Sequence, residues 1–264
     1  MNLVDRASVA FAHAYERLVH RSASAVSPHP ARFIGHRGTK DHPGIRENSL
    51  AAFAYALDRG AGLETDLRRT LDGRVVLHHD VEVKPGGPRI PELTLGEIRA
   101  FAPEVATLEE LFETTADRCP RYWLEIKEED TPENLREVIR RTVTAAQEHG
   151  VLDRVGFLSL DGGLLRLARA EAAAVPRMYV YIVSPREGMR YLEEDPDAGL
   201  AGWFFTFPLA KLEAYRAEGR PTGVGFIEHR GTAARFAKHG FDYLFSDTLR
   251  PLAVGGSGEI RISG

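Results

Sequence analysis

The sequence has one cysteine, Cys119, in 264 residues. No intrachain disulfide can form, and an oxidising compartment is not required. Cys119 precedes Pro120 in an expected loop, and nothing around it marks a nucleophile. The chain also lacks the run of about 18 apolar residues that a membrane-crossing helix needs, so no transmembrane segment is expected. Near the N-terminus, Asp5 and Arg6 precede the short run Val9-Ala10-Phe11-Ala12, and His13, Glu16 and Arg17 follow it. The uninterrupted apolar core of a signal peptide is missing, so the expected location is the cytoplasm. A strong charge of one sign is absent too: 34 Lys and Arg stand against 38 Asp and Glu, a formal net charge of -4. That excludes nucleic acid as a partner on electrostatic grounds and gives no general pull toward anionic membranes. Any anionic ligand has to be held by local basic groups.

What is present is the composition of a soluble globular protein, 43% hydrophobic and 27% charged, which rules out disordered and collagen-like classes. The length suits one α/β barrel. Three short apolar segments in residues 33 to 80 each end in groups able to bind a metal or move a proton. Phe33-Ile34-Gly35 runs into His36-Arg37-Gly38. In Gly62-Leu63-Glu64-Thr65-Asp66-Leu67, a strand's period of two puts Glu64 and Asp66 on one face. Adjacent like charges are unfavourable unless a cation joins them, which makes this pair the first candidate for a divalent metal site. The third segment, Arg74 to Leu77, follows an Asp72-Gly73 turn signal and ends in His78-His79-Asp80. Any one of these groups alone reads as a hydrogen-bonded structural residue. Their convergence carries the functional reading, and a fourth segment, Tyr122-Trp123-Leu124-Glu125-Ile126-Lys127, repeats the i, i+2 spacing with Glu125 and Lys127.

Strand and helix patterns alternate to the end of the chain. An amphipathic helix is expected in residues 2 to 21, packing on the body or on a partner subunit as in a homo-oligomer. Ser27-Pro28-His29-Pro30 breaks that pattern, giving an N-terminal extension over 1–31, a barrel domain over 32–252 and a flexible tail over 253–264. Asn48 or Ser49 is the expected cap of the helix after the first strand. Helices are also predicted at Thr94 to Phe101, Thr107 to Cys119 and Pro132 to His149. Later strands are expected at Val155 to Leu160, Arg177 to Val183, Gly202 to Phe207, Gly223 to Glu228 and Tyr243 to Ser246. The alternation predicts an α/β fold, a (β/α)8 TIM barrel with some irregularity. Nine strand candidates are one too many, so either Gly202 to Phe207 or the segment ending at His79 lies outside the ring or is irregular. In such a barrel, His36, Glu64, Asp66, His79, Glu125 and Lys127 would all stand at C-terminal strand ends and share one mouth.

These motifs, together with Glu47-Asn48-Ser49-Leu50-Ala51-Ala52-Phe53, Thr107-Leu108-Glu109-Glu110-Leu111 and Phe245-Ser246-Asp247, resemble the glycerophosphodiester phosphodiesterase family of metal-dependent barrels. The resemblance is close over residues 33 to 127 and weak beyond. It implies His36 and His79 as the acid and base, with His78 on the opposite strand face as a packed or supporting residue. It implies Glu64, Asp66 and Glu125 as metal ligands, Arg37 and Lys127 as phosphate-binding cations, and a supporting role for Glu47. Three carboxylates without a thiolate favour one hard cation, Mg2+ or Ca2+. The implied reaction releases glycerol 3-phosphate and an alcohol from a small-molecule phosphodiester.

Some features depart from the family. Arg46 stands where proline is common before the Glu-Asn pair, Ser49 replaces threonine, and the segment after Asp80 lacks much of the usual inserted subdomain. Val224-Gly225-Phe226-Ile227-Glu228 replaces a Trp-Thr-Val-Asn type motif. These regions shape the pocket beyond the phosphate, so a lysophospholipid substrate, as for a lysophospholipase D or sphingomyelinase D, is the alternative. A catalytically silent phosphate-binding barrel and a Schiff-base lyase using Lys127 are the rivals of other classes.

Overall fold

Each apolar run forms a short buried strand: β1 Phe33–Gly35, β2 Gly62–Arg69, β3 Val75–Leu77, β4 Tyr122–Ile126, β5 Val155–Ser159, β6 Arg177–Tyr181, β7 Gly199–Trp203, β8 Thr222–Gly225 and β9 Tyr243–Ser246. Between them lie α1 Leu50–Leu57, α2 Leu95–Phe101, α3 Leu108–Thr115, α4 Pro132–Glu148, α5 Gly162–Glu171, α6 Arg186–Glu194, α7 Leu209–Ala217 and α8 Arg230–His239. The computed structural model describes residues 29, 32–40, 42–127 and 130–252. The helix expected in 2 to 21 and the tail from 253 lie outside the described residues. Among the described residues, no helix is long and apolar enough to cross a membrane.

Helix starts follow local chemistry. Of the two expected caps for α1 it is Ser49 that accepts from the Ala52 amide, and Thr94 and Thr107 open α2 and α3 with complete capping boxes. Thr131 and Pro132 open α4 in the same economical way, a side-chain cap followed by a residue with no amide to satisfy.

Eight of the strands are parallel, in the order β1-β2-β4-β5-β6-β7-β8-β9, and β9 pairs back onto β1 to close a (β/α)8 TIM barrel. The surplus strand is β3, which pairs antiparallel with β2 and stands outside the ring. The strand expected at Gly202 to Phe207 sits earlier, at Gly199–Trp203. Beyond Trp203 the chain turns, the Phe207 amide bonding the Trp203 carbonyl at 3.1 Å, and Phe204 and Phe207 pack into the core between barrel and helices.

Inside the ring, Ile34, Trp123, Leu158, Met178, Ala201 and Phe245 form a separate apolar core. It floors the mouth, so charged groups above it meet no water from below. Trp123 is fully buried and its ring lies directly against Gly156 of β5, where a Cβ would collide with it. At the rim, buried Glu228 ties the loop after β8 to the loop after β9. Its Oε1 accepts from Ser246 Oγ at 3.0 Å and the Asp247 amide at 2.6 Å, and its Oε2 accepts from the Thr248 amide at 3.2 Å. Burial, then the neighbouring Asp247 charge, push the Glu228 carboxyl up to about 8.

Two stability effects are expected. Gly156→Ala overpacks the barrel interior, a cost of about 1–3 kcal/mol, and should lower the melting temperature by roughly 2–4 °C per kcal/mol, measured by circular dichroism. For Glu228 the folded-state value lies above the ordinary 4.5, so the folded chain binds the extra proton between the two. Its contribution is full below about 4.5 and is lost as pH rises through 8. The urea midpoint should fall between those limits, and Glu228→Gln should reduce that fall.

Candidate active site

The alternation of β2 turns Glu64 and Asp66 into the barrel, and its register with β4 sets Asp66 beside Glu125. All three are buried, and each offers an oxygen within 4.8 Å of the others'. Two cations meet them. Lys127 Nζ lies 2.8 Å from Asp66 Oδ1 and 2.5 Å from Glu125 Oε1, and Arg37 Nε lies 3.3 Å from Asp66 Oδ2. The opposing effects divide the carboxylates. Burial disfavours the Asp66 charge, but Lys127 and Arg37 outweigh it and hold the group well below the ordinary carboxylate range. Glu64 is raised well above that range, by burial first and then by Asp66 and Glu125. Its Oε1 is buried without a hydrogen-bond partner. An orphaned carboxylate oxygen beside two more carboxylates, with no sulfur in the set, fits a hard divalent cation.

The loops after β1 supply the second layer. Arg37 and Asn48 both have left-handed backbones, with φ of 53° and 56°. That turn aims the Arg37 amide at Glu64 Oε2, 2.8 Å away, while the Arg37 carbonyl accepts from the Asn48 amide at 3.0 Å. Asn48 Nδ2 donates to Asp66 Oδ2 at 2.8 Å, and its Oδ1 accepts from Thr65 Oγ1 at 2.6 Å. Glu47 accepts from Arg37 NH1 at 2.7 Å. Asn48 is therefore more than the expected helix-start residue: it orients one of the carboxylates. Burial works against the Arg37 charge, but Asp66, Glu47 and Glu64 raise it, so the guanidinium is permanent.

Both candidate histidines are oriented through Nδ1 by an acid. His36 Nδ1 lies 2.5 Å from Asp247 Oδ1, and its Nε2 stands 3.8 Å from Glu64 Oε2. Burial opposes ionisation of Asp247, yet His36 and then Lys40 bring it down to about 2. His79 Nδ1 lies 2.7 Å from Asp80 Oδ1, while Arg68 Nε donates to the His79 carbonyl at 3.0 Å. Burial, reinforced by Lys127 and Arg37 against Asp66, pushes His79 down to about 3. At neutral pH it is an uncharged imidazole, with Nδ1–H on Asp80 and the acceptor lone pair on Nε2.

The route by which His79 reaches the mouth differs from the expected one. It does not end a barrel strand. β3 runs back along β2, with Leu77 opposite Leu67, so the chain after β3 returns to the level of Asp66, and the His78 amide bonds the Asp66 carbonyl at 3.0 Å. His78 is buried against this turn. An arginine only donates, so Arg46 NH2 at 2.9 Å from His78 Nε2 places the ring proton on Nδ1, which donates to the Asp80 carbonyl at 2.8 Å. Arg46 also pairs with Glu104.

His36, Arg37, Glu64, His79, Glu125 and Lys127 line one cavity of about 580 Å3 at the C-terminal ends of the barrel strands. Asp66 lies beneath it, and Glu47 lines a smaller adjoining cavity of about 310 Å3 together with Arg46 and His78. Lys127 does not suit a Schiff base: burial disfavours its charge, but Asp66 and Glu125 outweigh that and keep the ammonium. Sequence reasoning gave no role to Asp247 or Asp80, and it took Asn48 only as a candidate helix cap. The first lay in a quoted motif, Phe245-Ser246-Asp247, but its partner is 211 residues away.

The sequence matches the glycerophosphoryl diester phosphodiesterase family over residues 36–197, more than half of the chain. No curated protein matches it. Solved structures share the barrel. A phosphodiesterase from Oleispira antarctica, in complex with the product sn-glycerol-3-phosphate, is 23% identical, with 91% of this chain and 96% of that one covered and a TM-score of 0.69. A glycerophosphodiester phosphodiesterase from Thermotoga maritima is 23% identical, with coverage of 84% and 97% and a TM-score of 0.68. One from Parabacteroides distasonis is 22% identical, with coverage of 82% and 92% and a TM-score of 0.69. A barrel whose strand ends collect acids, imidazoles and permanent cations thus coincides with a sequence match that spans β2, β4, β5 and β6, and the chain belongs to the glycerophosphoryl diester phosphodiesterase family, a family of phosphoric diester hydrolases.

Proposed function

We propose that the chain hydrolyses glycerophosphodiesters to glycerol 3-phosphate and an alcohol, with a divalent cation bound and with His36 and His79 as the acid–base pair. The observation that carries this reading is the pairing of each imidazole with its own carboxylate, Asp247 and Asp80, at a cavity that also holds Glu64, Glu125, Arg37 and Lys127. The product bound by the Oleispira antarctica relative gives the same substrate class.

A phosphodiester anion repels nucleophiles, and its alkoxide leaves poorly without a proton. His79, uncharged and with Nε2 open, takes the proton of the attacking hydroxyl, from water or from a neighbouring hydroxyl of the substrate's glycerol. Asp80 fixes the tautomer needed for that step. His36 gives its proton to the leaving oxygen, and ionised Asp247 steadies the ring through Nδ1. Arg37 and Lys127 counter the charge that grows on the phosphoryl oxygens. Glu64, Asp66 and Glu125 would hold Mg2+ or Ca2+, which supplies Lewis-acid stabilisation of that charge. A silent phosphate-binding barrel has no use for two oriented imidazoles and the buried acid trio.

His36→Ala and His79→Ala should each reduce kcat/KM for glycerophosphocholine about 10² to 10⁴-fold, measured as glycerol 3-phosphate release, with the melting temperature little changed. Full activity in either variant would remove that histidine from the chemistry. EDTA should abolish release and Mg2+ or Ca2+ should restore it. Glu64→Gln should raise the metal concentration needed for half-restoration, and calorimetric titration of the metal alone should show the same weakening.

A further inference from the structure

The charged lining of the mouth comes from β1 to β4 and the loops after them, while the described lining from β5 to β9 contains no charged side chain and presents Leu158, Val180, Trp203 and Phe226. The groups that orient His79 accordingly stand on its own side of the barrel. Arg68 holds its carbonyl, and the ring is bonded to Asp80, the next residue in the chain. The Asp80 side chain is 59% exposed, however, and a carboxylate that open to water does not fix a ring unless its own backbone is held.

The hold comes from behind the hairpin. His78 is buried; its Nδ1 donates to the Asp80 carbonyl at 2.8 Å and its Nε2 accepts from Arg46 NH2 at 2.9 Å. Arg46 is fixed in turn. Its NH1 pairs with Glu104, between α2 and α3, and its carbonyl accepts at 2.6 Å from the Ser49 hydroxyl that caps α1. The side chain therefore reaches from the loop after β1, where the next residue, Glu47, holds Arg37, to the hairpin end that carries His79. Both His79 and Asp80 line the smaller cavity of about 310 Å3 as well as the larger one. The His79 ring thus has open space on two sides, and its backbone alone does not decide which of them Nε2 faces.

We propose that Arg46 is a positioning residue for the acid–base step: through His78 it fixes the Asp80 backbone, and Asp80 then keeps the His79 ring turned to the larger cavity. The proposal rests on the phosphodiesterase reading and names how the base of that same site is held. Every link has a direction. Arg46 can only donate, so His78 Nε2 is the acceptor and the His78 proton stands on Nδ1. That proton anchors the Asp80 carbonyl, and the Asp80 carboxylate draws the His79 proton to Nδ1, which leaves His79 Nε2 to take the proton of the attacking hydroxyl. Without the guanidinium, His78 can carry its proton on Nε2 instead, the Asp80 carbonyl loses its donor, and the His79 ring can turn toward the smaller cavity. Displacement of a reacting group by about 1 Å is enough to cost about 10²-fold in rate.

The test measures glycerol 3-phosphate release from glycerophosphocholine, with Mg2+ or Ca2+, in wild type, Arg46→Met, His79→Ala and the double variant. The Arg46 side chain is 33% exposed and methionine keeps much of its stem, so the fold should hold. Arg46→Met should lower kcat about 10- to 100-fold with KM within about twofold. In the His79→Ala background the same change should cost less than about twofold, because residues that act through one another are not additive. His78→Asn, whose amide offers both a donor and an acceptor, should recover most of the activity that His78→Leu loses. NMR of the histidine ring nitrogens gives a readout without turnover. The His79 signal, identified by its absence from His79→Ala, should place the proton on Nδ1 in wild type and share it between the two nitrogens in Arg46→Met. Unchanged kcat in Arg46→Met, even with a lowered melting temperature, overturns the proposal, and so does a loss that multiplies with that of His79→Ala. If wild type releases no glycerol 3-phosphate, the phosphodiesterase reading falls by itself and the spectrum decides the bridge: mixed tautomers in Arg46→Met support it, and an unchanged tautomer overturns it.

Discussion

Three carboxylates and two cations, all largely withdrawn from water at the top of the barrel, govern how the rest of the chain is arranged. Taken as fully ionised, Glu64, Asp66 and Glu125 exceed Arg37 and Lys127 by one negative charge. That imbalance falls on Glu64, which among the described residues has no lysine or arginine side chain in salt-bridge contact and accepts from the Arg37 backbone amide. Isolated charges in such surroundings are unfavourable by several kcal/mol each, so the group is stable only because every member has a partner and one cation more can be accepted. The left-handed turns at Arg37 and Asn48 belong to the same arrangement, since both aim polar groups at those carboxylates.

Around this centre, each side of the barrel contributes what its packing allows. β2 and β4 are clamped together by their register, which gives the acids a rigid base. The two histidines come from flexible chain types, a loop and a hairpin end, and each is steadied by hydrogen bonds from outside its own segment. His36 depends on Asp247 after β9, and that loop depends in turn on Glu228. His79 is held by Asp80 on its ring and Arg68 on its carbonyl, with His78 and Arg46 behind the Asp80 backbone. The apolar half of the mouth is built differently, from ring contacts and exposed side chains that need no such network.

Much of this was legible because it is local. Apolar runs and turn residues marked the strands, the Asn48-Ser49 pair marked the start of α1, and the i, i+2 spacings of Glu64 with Asp66 and Glu125 with Lys127 put those pairs on common faces. The excess strand was visible as a miscount but not as a location. Whether Val75–Leu77 joins the ring or folds back depends on hydrogen bonds to β2, and no feature of three apolar residues distinguishes the two. Likewise Phe204 and Phe207 read as strand residues, and tertiary packing drew them into the outer core instead.

The sequence by itself determined the fold class and a short list of candidate site residues that meet at one mouth, because periodicity and capping operate within a few residues. Only the tertiary structure decided that His79 arrives on a returning hairpin, that Asp247 orients His36, that Asp66 rather than Glu64 meets the two cationic side chains, and that the mouth is charged on one side and apolar on the other. Each of these is set by which distant strands become neighbours when the barrel closes. Closure is a property of pairings between segments up to the full length of the barrel apart, and a residue's own surroundings in the chain do not encode them.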